Sequence, residues 1–198
     1  VEGKDKVAFG VTEPDAGLDT SSITTRAVRD GSNYVVNGQK VWTTTAQQAT
    51  KIFLLTRTTP LEQCARRTDG MTLFYTDFNR DRIEVREIDK LGRNAVNSNA
   101  IFIDNLVIPE EDRIGEEGRG FRMLLDSLNP ERILVAAECV GVGRRALARG
   151  AEYAKTRVVF GRPIGMNQAI QHPLAQSWMA LESADLMVWL AARLYHAA

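Results

Sequence analysis

At 198 residues the chain is long enough for one domain or for parts of two. Its 25 basic and 25 acidic residues cancel, which removes the electrostatic reason to expect nucleic acid or an anionic membrane as partner. Hydrophobic residues at 44% and charged residues at 25% suit a globular protein, and no apolar run nears the ~20 residues of a membrane span.

The chain opens on Val1, not Met, with no signal-like segment, and closes on the strongly helical "SADLMVWLAARLYHAA" with no stop after it. Both ends read as cuts, so the chain is expected to be a fragment of a longer protein. The first element is an apolar run that meets "VTEPDAGLDT", residues 11–20. Read plainly, this is a strand running into a Pro-directed turn, with Gly17 at a position that needs unusual backbone angles. Thr12 and Glu13 interrupt the run at its end, however, and the turn is small in side-chain bulk. Backbone and hydroxyl groups there could approach an anion or a ring closely.

"SSITTRAVRD", a "GSN" turn and "YVVNGQKVWTTT" follow, and Asn37-Gly38 is the strongest short hairpin signal in the chain. "KVWTTT" is either cross-strand packing or a ring wall, Trp42, beside hydroxyl donors from Thr43 and Thr44. "KIFLLTRT" and "GMTLFYTDF" predict two more strands around the exposed loop "TPLEQCARRTD", and "RIEVREI" and "NAIFIDNLVIP" the last two. Short strands with turns every ten residues or so indicate an antiparallel sandwich or barrel, not a parallel sheet.

From about Gly118 the period becomes helical. "GFRMLLDSL" predicts a short first helix, and "NPERILVAAECVGVGRRALARGAEYAKTR" a second one, capped by Asn129 with Pro130 first and Glu131 in the first turn. The second helix is apolar on nearly every face up to Val142, which implies burial among other helices. A third helix follows "VVFGRPIG", with Ile170, Leu174, Trp178 and Leu181 as one buried stripe. So few helices with so much apolar surface do not close a bundle; their partners are expected beyond Ala198 or in a neighbouring subunit. The architecture is α+β: a β-barrel or sandwich over residues 1–117, then part of a helical bundle over 118–198.

Several chemistries find no footing. His172 and His196 are isolated, and no His or Cys pair has metal-ligand spacing. "GVGRRA" follows helical residues rather than a strand, so it is no dinucleotide fingerprint. Gly141 and Gly143 read as close-packing sites on a helix, and Arg66-Arg67 and Arg144-Arg145 as surface charge. Cys64 and Cys139 lie in unrelated contexts and suit two free thiols. Glu131, beside Arg132 and before an apolar run, has the surroundings of a general base. Arg157 and Arg162 flank Phe160-Gly161, and Gln168 opens the next helix, a basic interhelical loop compatible with phosphate binding.

Taken in order, "VTEPDAGLD", "YVVNGQKVWTT", "IGEEGRGF", "NPERI" and "RVVFGRPIGMNQAIQHPLA" resemble the acyl-CoA dehydrogenase family over essentially the whole chain. The resemblance implies a β-barrel-like middle domain and the start of a four-helix bundle, with FAD between them. Phe9, Val11 and Thr12 would support the flavin near Gly17, with Thr12 bonded to its ring edge. Trp42, Thr43 and Thr44 would wall the ring, and Arg157, Phe160 and Gln168 would contact the FAD of a neighbouring subunit in a homodimer or homotetramer. Leu18, Asn129 and Arg132 match substrate-side positions. Leu18 stands where many members have Ser, and Asn129 where many have Asp, which suggests a less standard acyl chain or CoA pose.

The implied reaction is α,β-dehydrogenation of an acyl-CoA thioester, as in fatty acid β-oxidation. A carboxylate takes the α proton, the β carbon gives hydride to the flavin, and the electrons pass to an electron-transferring flavoprotein. The base is Glu131, as in a minority of the family, or a Glu in a late loop beyond Ala198, as in most. A flavin oxidase and a non-catalytic acyl-CoA-binding relative are the alternative functions. The setting would be bacterial cytoplasm or mitochondrial matrix.

Overall fold

The structure, a computed structural model, describes residues 3–197; Val1, Glu2 and Ala198 lie outside the described residues. The chain divides into two compact units, Val1–Leu124 and Leu125–Ala198.

The first unit is built on one eight-stranded sheet: β1 Val7–Gly10, β2 Arg26–Asp30, β3 Asn33–Thr44, β4 Lys51–Arg57, β5 Met71–Asp77, β6 Ile83–Glu87, β7 Ser98–Pro109 and β8 Arg113–Ile114. The strand order is β6-β7-β3-β2-β4-β5-β8, with β1 on β4. Most pairings are antiparallel, as expected. The exceptions correct the expectation of a wholly antiparallel domain: β1 pairs parallel with β4 from Val7↔Lys51 to Gly10↔Leu54, and β2 meets β4 in parallel at Arg26↔Arg57. The sheet does not close, since β6 and β8 end the path unpaired with each other. It is sandwich-like. Its two arms share one core in which Tyr34, Val36, Ile101 and Ile108 meet Ile52, Leu54 and Phe74. Tyr34 of β3 and Phe74 of β5 touch edge to face at 4.9 Å, and full burial of such side chains contributes roughly 1.5–3 kcal/mol each.

Asn37-Gly38 is not a hairpin. β3 runs straight through it, and the β2–β3 turn lies at Gly31, where φ is +60°. Asn37 instead marks a break in the β3–β7 register between Val36 and Gly38. The extra residue is on β7, between Ile103 and Leu106, where Asn105 takes φ +51°. A side chain at Gly38 would meet Thr25 Cα at 2.7 Å, so the backbones there are in direct apposition.

In the helical stretch two helices replace the expected three. α1 spans Gly120–Thr156 without interruption and carries Pro130 inside it; α2 spans Gln168–Ala197. Asn129 is therefore no N-cap, and Glu131 lies well inside α1, away from the dipole's positive end. Pro130 removes the bond to the Asp126 carbonyl and crowds it with its ring, and Asp126 is exposed to water.

Within the second unit α1 and α2 run antiparallel. Gly143 lets Leu181 approach to 2.5 Å of where a Cβ would stand, and Gly165 brings the link against the Ala154 carbonyl at 2.9 Å, whereas Gly141 faces open space. Arg144 is not merely surface charge: it reaches Glu182 at 2.8 Å and Asp185 at 3.1 Å on α2. The link is a hairpin of β9 Val158–Val159 and β10 Arg162–Pro163. The expected buried stripe on α2 is not buried. No α2 residue is, and Trp178 is 58% exposed. On α1, Leu134, Val135 and Val142 are likewise exposed. A pair of helices has outer faces with nothing to pack on.

Candidate active site

In the β unit, the strand end after β1 and the far half of β3 come together. Val41 N donates to Thr12 O at 2.9 Å, so "VTEP" and "KVWTT" are neighbours although thirty residues separate Thr12 from Trp42. Phe9 lies one pair earlier on the partly exposed face of β1, stacked on Phe53 at 5.3 Å with planes 6° apart. Val11 is buried and Thr12 half-buried.

A second register break, between Lys40 and Thr43 and with its extra residue on β3, decides which side chains face out. Lys40 and Thr43 both point inward and are fully buried, while Trp42, with φ +61°, is 58% exposed and Thr44 is exposed. A positive φ on a tryptophan is rare and costs energy. It turns the indole outward instead of into the core, one residue along β3 from the Val41–Thr12 bond. The hydroxyls of Thr12 and Thr44 have no protein partner among the described residues. Thr43, grouped with them in the sequence, is on the other side, where its Oγ1 and Asn99 Oδ1 are buried without partners and Asn99 Nδ2 donates to Thr43 O at 3.0 Å.

Residues 13–16 form a tight turn, Glu13 N to Ala16 O at 3.3 Å and Ala16 N to Glu13 O at 3.1 Å, around Pro14. Gly17 follows with an ordinary negative-φ backbone and open space where a Cβ would be. Its conformation therefore does not require glycine, contrary to expectation. Leu18 is fully exposed.

Beneath this edge lies an arrangement that the motifs did not announce. Lys40 Nζ, with no solvent exposure, donates to Val11 O at 3.0 Å and to Glu13 Oε1 at 2.9 Å. The Glu13 carboxylate also accepts from Thr24 N at 2.7 Å, Thr24 Oγ1 at 2.8 Å and Thr25 N at 2.9 Å. Burial alone would raise the Glu13 pKa, but the Lys40 ammonium and the bonds from Thr25 and Thr24 outweigh it and hold the carboxyl at about 2. Burial pushes Lys40 down to about 8, with Glu13 opposing. Both groups are charged at neutral pH. Lys40 keeps the parity of the inward Tyr34 and Val36, which was the available signal; its charge argued against reading it as inward.

The helical unit carries the other candidates. Asn129 Oδ1 accepts from Arg132 NH1 at 2.9 Å. Glu131 is exposed and lines an open groove of about 450 Å³ with Leu128, Arg132, Val135 and Ala136, so the dry surroundings expected for it are absent within this unit. In the hairpin, Phe160 (φ +52°) and Gly161 (φ +74°) form the turn, and Phe160 is fully exposed at its tip. Arg157 accepts through its carbonyl from Ile164 N at 2.8 Å, Arg162 donates to Asn167 at 2.7 Å, and Gln168 begins α2. Arg157, Phe160 and Gln168 thus share one short, exposed segment. Among the described residues no cluster of His, Cys, Asp and Glu could hold a metal, and no helix is long and apolar enough to cross a membrane.

Residues 8–106 match the family model of the acyl-CoA dehydrogenase middle domain, and residues 118–198 that of the acyl-CoA dehydrogenase C-terminal domain. The chain belongs to the acyl-CoA dehydrogenase family. Acyl-CoA dehydrogenase FadE12 of Mycobacterium tuberculosis is 37% identical over 194 residues, 98% of this chain and 49% of that protein. The butyryl-CoA dehydrogenase of Megasphaera elsdenii superposes with a TM-score of 0.89 at 31% identity, covering 99% of this chain and 51% of the other. A glutaryl-CoA dehydrogenase in complex with glutaryl-CoA gives 0.85 at 33% identity, covering 93% and 46%. The chain spans about half the length of such relatives.

Proposed function

We propose that the chain is the central part of an FAD-dependent acyl-CoA dehydrogenase, and that the exposed Thr12–Trp42–Thr44 edge is where its flavin rests. The observation that carries the reading is the backbone bond from Val41 to Thr12, which joins the segment of Thr12 to the segment of Trp42 and Thr44, two unengaged hydroxyls and an indole turned outward by a strained residue. These groups fit a planar heterocycle: Trp42 offers a face to its ring, and Thr12 and Thr44 offer donors to its edge. When bound, FAD supplies the two-electron acceptor for the hydride leaving the substrate's β carbon.

The chain's own residues do the rest. Glu131 takes the α proton of the acyl thioester onto a carboxylate oxygen, with Leu128, Val135 and Ala136 as the apolar lining of its open groove. Arg132, oriented by Asn129, holds the anionic CoA arm. Leu18 presents an alkyl group where a hydroxyl would otherwise bond to substrate. Loss of a proton to Glu131 and a hydride from the β carbon leaves an α,β-unsaturated thioester. Arg157, Phe160 and Gln168 reach the cofactor of a second copy, and an electron-transferring flavoprotein accepts the electrons.

In the full-length protein, Glu131→Gln is expected to abolish flavin bleaching by acyl-CoA, a loss of at least a hundredfold, with FAD still bound. Normal bleaching by that variant rules out Glu131 as the base. Hydrogen peroxide formed in step with turnover under air points to an oxidase in place of a dehydrogenase.

A further inference from the structure

The buried Lys40–Glu13 pair is not used by the chemistry above, yet it sits directly behind the proposed flavin edge. Lys40 Nζ grips both residues that flank Thr12: the Val11 carbonyl on one side and the Glu13 carboxylate on the other. The next residue, Val41, binds Thr12's own carbonyl. Three successive positions of one strand end are thus fixed by two successive residues of β3, and the following residue is Trp42. The grip is closed from behind. Glu13 also holds Thr24 and Thr25, Thr25 Oγ1 donates to Gln39 O at 3.2 Å, and Thr25 lies against Gly38, whose missing side chain allows the contact.

A buried ion pair is an expensive way to join two strands, because apolar residues of similar volume often do as well or better. Its directionality is what an apolar contact lacks. The ammonium must meet two oxygens at fixed angles, so the Val11–Glu13 backbone cannot slide or rotate relative to Lys40. With Trp42 turned outward by the break just after Lys40, the distance between the Thr12 hydroxyl and the indole face becomes a consequence of this pair.

We infer that Lys40 and Glu13 are positioning residues for the flavin: the ion pair aligns the Thr12 hydroxyl with the Trp42 face and so sets how tightly, and in what electronic state, the ring is held. The inference rests on the flavin reading above. It also predicts that Thr12 and Lys40 act as one unit.

The test uses the full-length protein loaded with FAD and the variants Lys40→Met/Glu13→Leu, Thr12→Val, and all three changes together. The double variant removes both charges at once and leaves neither buried alone. It is expected to unfold within a few degrees of wild type, to bind FAD roughly tenfold more weakly, about 1.4 kcal/mol, and to show a shifted flavin visible spectrum. Adding Thr12→Val to it is expected to change affinity and spectrum little further, whereas Thr12→Val alone changes both. Should the double variant fail to fold, Glu13→Gln, which keeps the side chain's size and carbonyl, is expected to give the same spectral shift in smaller measure. Wild-type affinity and spectrum in the double variant, or a full undiminished Thr12→Val effect within it, overturn the inference alone. A wild-type protein that binds no flavin overturns the flavin reading and this inference with it.

Discussion

The two units of the chain treat apolar residues in opposite ways. In the β unit Tyr34, Ile52, Leu54, Phe74 and Ile101 have no exposure at all, and even a lysine and a glutamate are taken into the interior as a bonded pair. In the helical unit Trp178, Leu186, Met187 and Trp189 are all more than half exposed, and α2 buries nothing. The difference teaches that a sheet whose arms fold over one core completes itself, whereas two antiparallel helices cover only their mutual seam. The proposed flavin edge belongs to the completed unit and inherits its rigidity.

Truncation at the core against truncation on α2 breaks the comparison most directly. Phe74→Ala is expected to cost about 3–5 kcal/mol and Trp178→Ala less than about 1 kcal/mol, measured by denaturant unfolding of this chain. Similar losses at both positions would show that the helical unit is packed as tightly as the sheet.

Glycine contacts sharpen it at a smaller scale. Gly38→Ala pushes a methyl onto the Thr25 backbone and should cost about 1–3 kcal/mol. Gly143→Ala meets only the tip of Leu181, a flexible side chain, and should cost under about 1 kcal/mol, because that tip can swing into open space.

Acid titration gives the third contrast. Glu13 is held at about 2 against an ordinary value of 4.5. Its contribution, of the order of 1–3 kcal/mol, is therefore fully present above pH 4.5 and disappears as pH falls through about 2. In Glu13→Gln that acid-dependent loss should vanish from the unfolding curve of the β unit; an unchanged acid limb would remove Glu13 from its cause. The weakest effect belongs to the helices: Arg144→Ala, which breaks partly exposed pairs to Glu182 and Asp185, is expected to cost about 0.2–1 kcal/mol and less in high salt.

Much of this was readable from the residues, for identifiable reasons. β4, β5 and β7 are dense in β-branched and aromatic residues bounded by polar turns, and they fold where that pattern places them. The parallel meeting of β1 and β2 with β4 was not readable, because it depends on which strands become neighbours across long separations and not on any local period. Asn37-Gly38 misled because Gly38 serves a close approach and not a turn: its missing side chain admits the Thr25 backbone. Pro130 misled because a proline at a helix start and one inside a helix look alike when the preceding turn is also helical. At the candidate site, Thr12 and Trp42 were visible as motifs and their adjacency was not. Thr43 was grouped with its neighbours by sequence and is separated from them by one extra residue in the strand. Glu13 was visible as a break at the strand end, but its buried pairing with Lys40 was not.

The most direct test of the central claim is FAD binding by the full-length protein with and without the indole at position 42. The account predicts that the wild-type protein is isolated with bound flavin and that Trp42→Ala weakens FAD binding about tenfold or more, roughly 1.4 kcal/mol, while the β unit stays folded. A wild-type protein without flavin, or equal affinity in the variant, would contradict it.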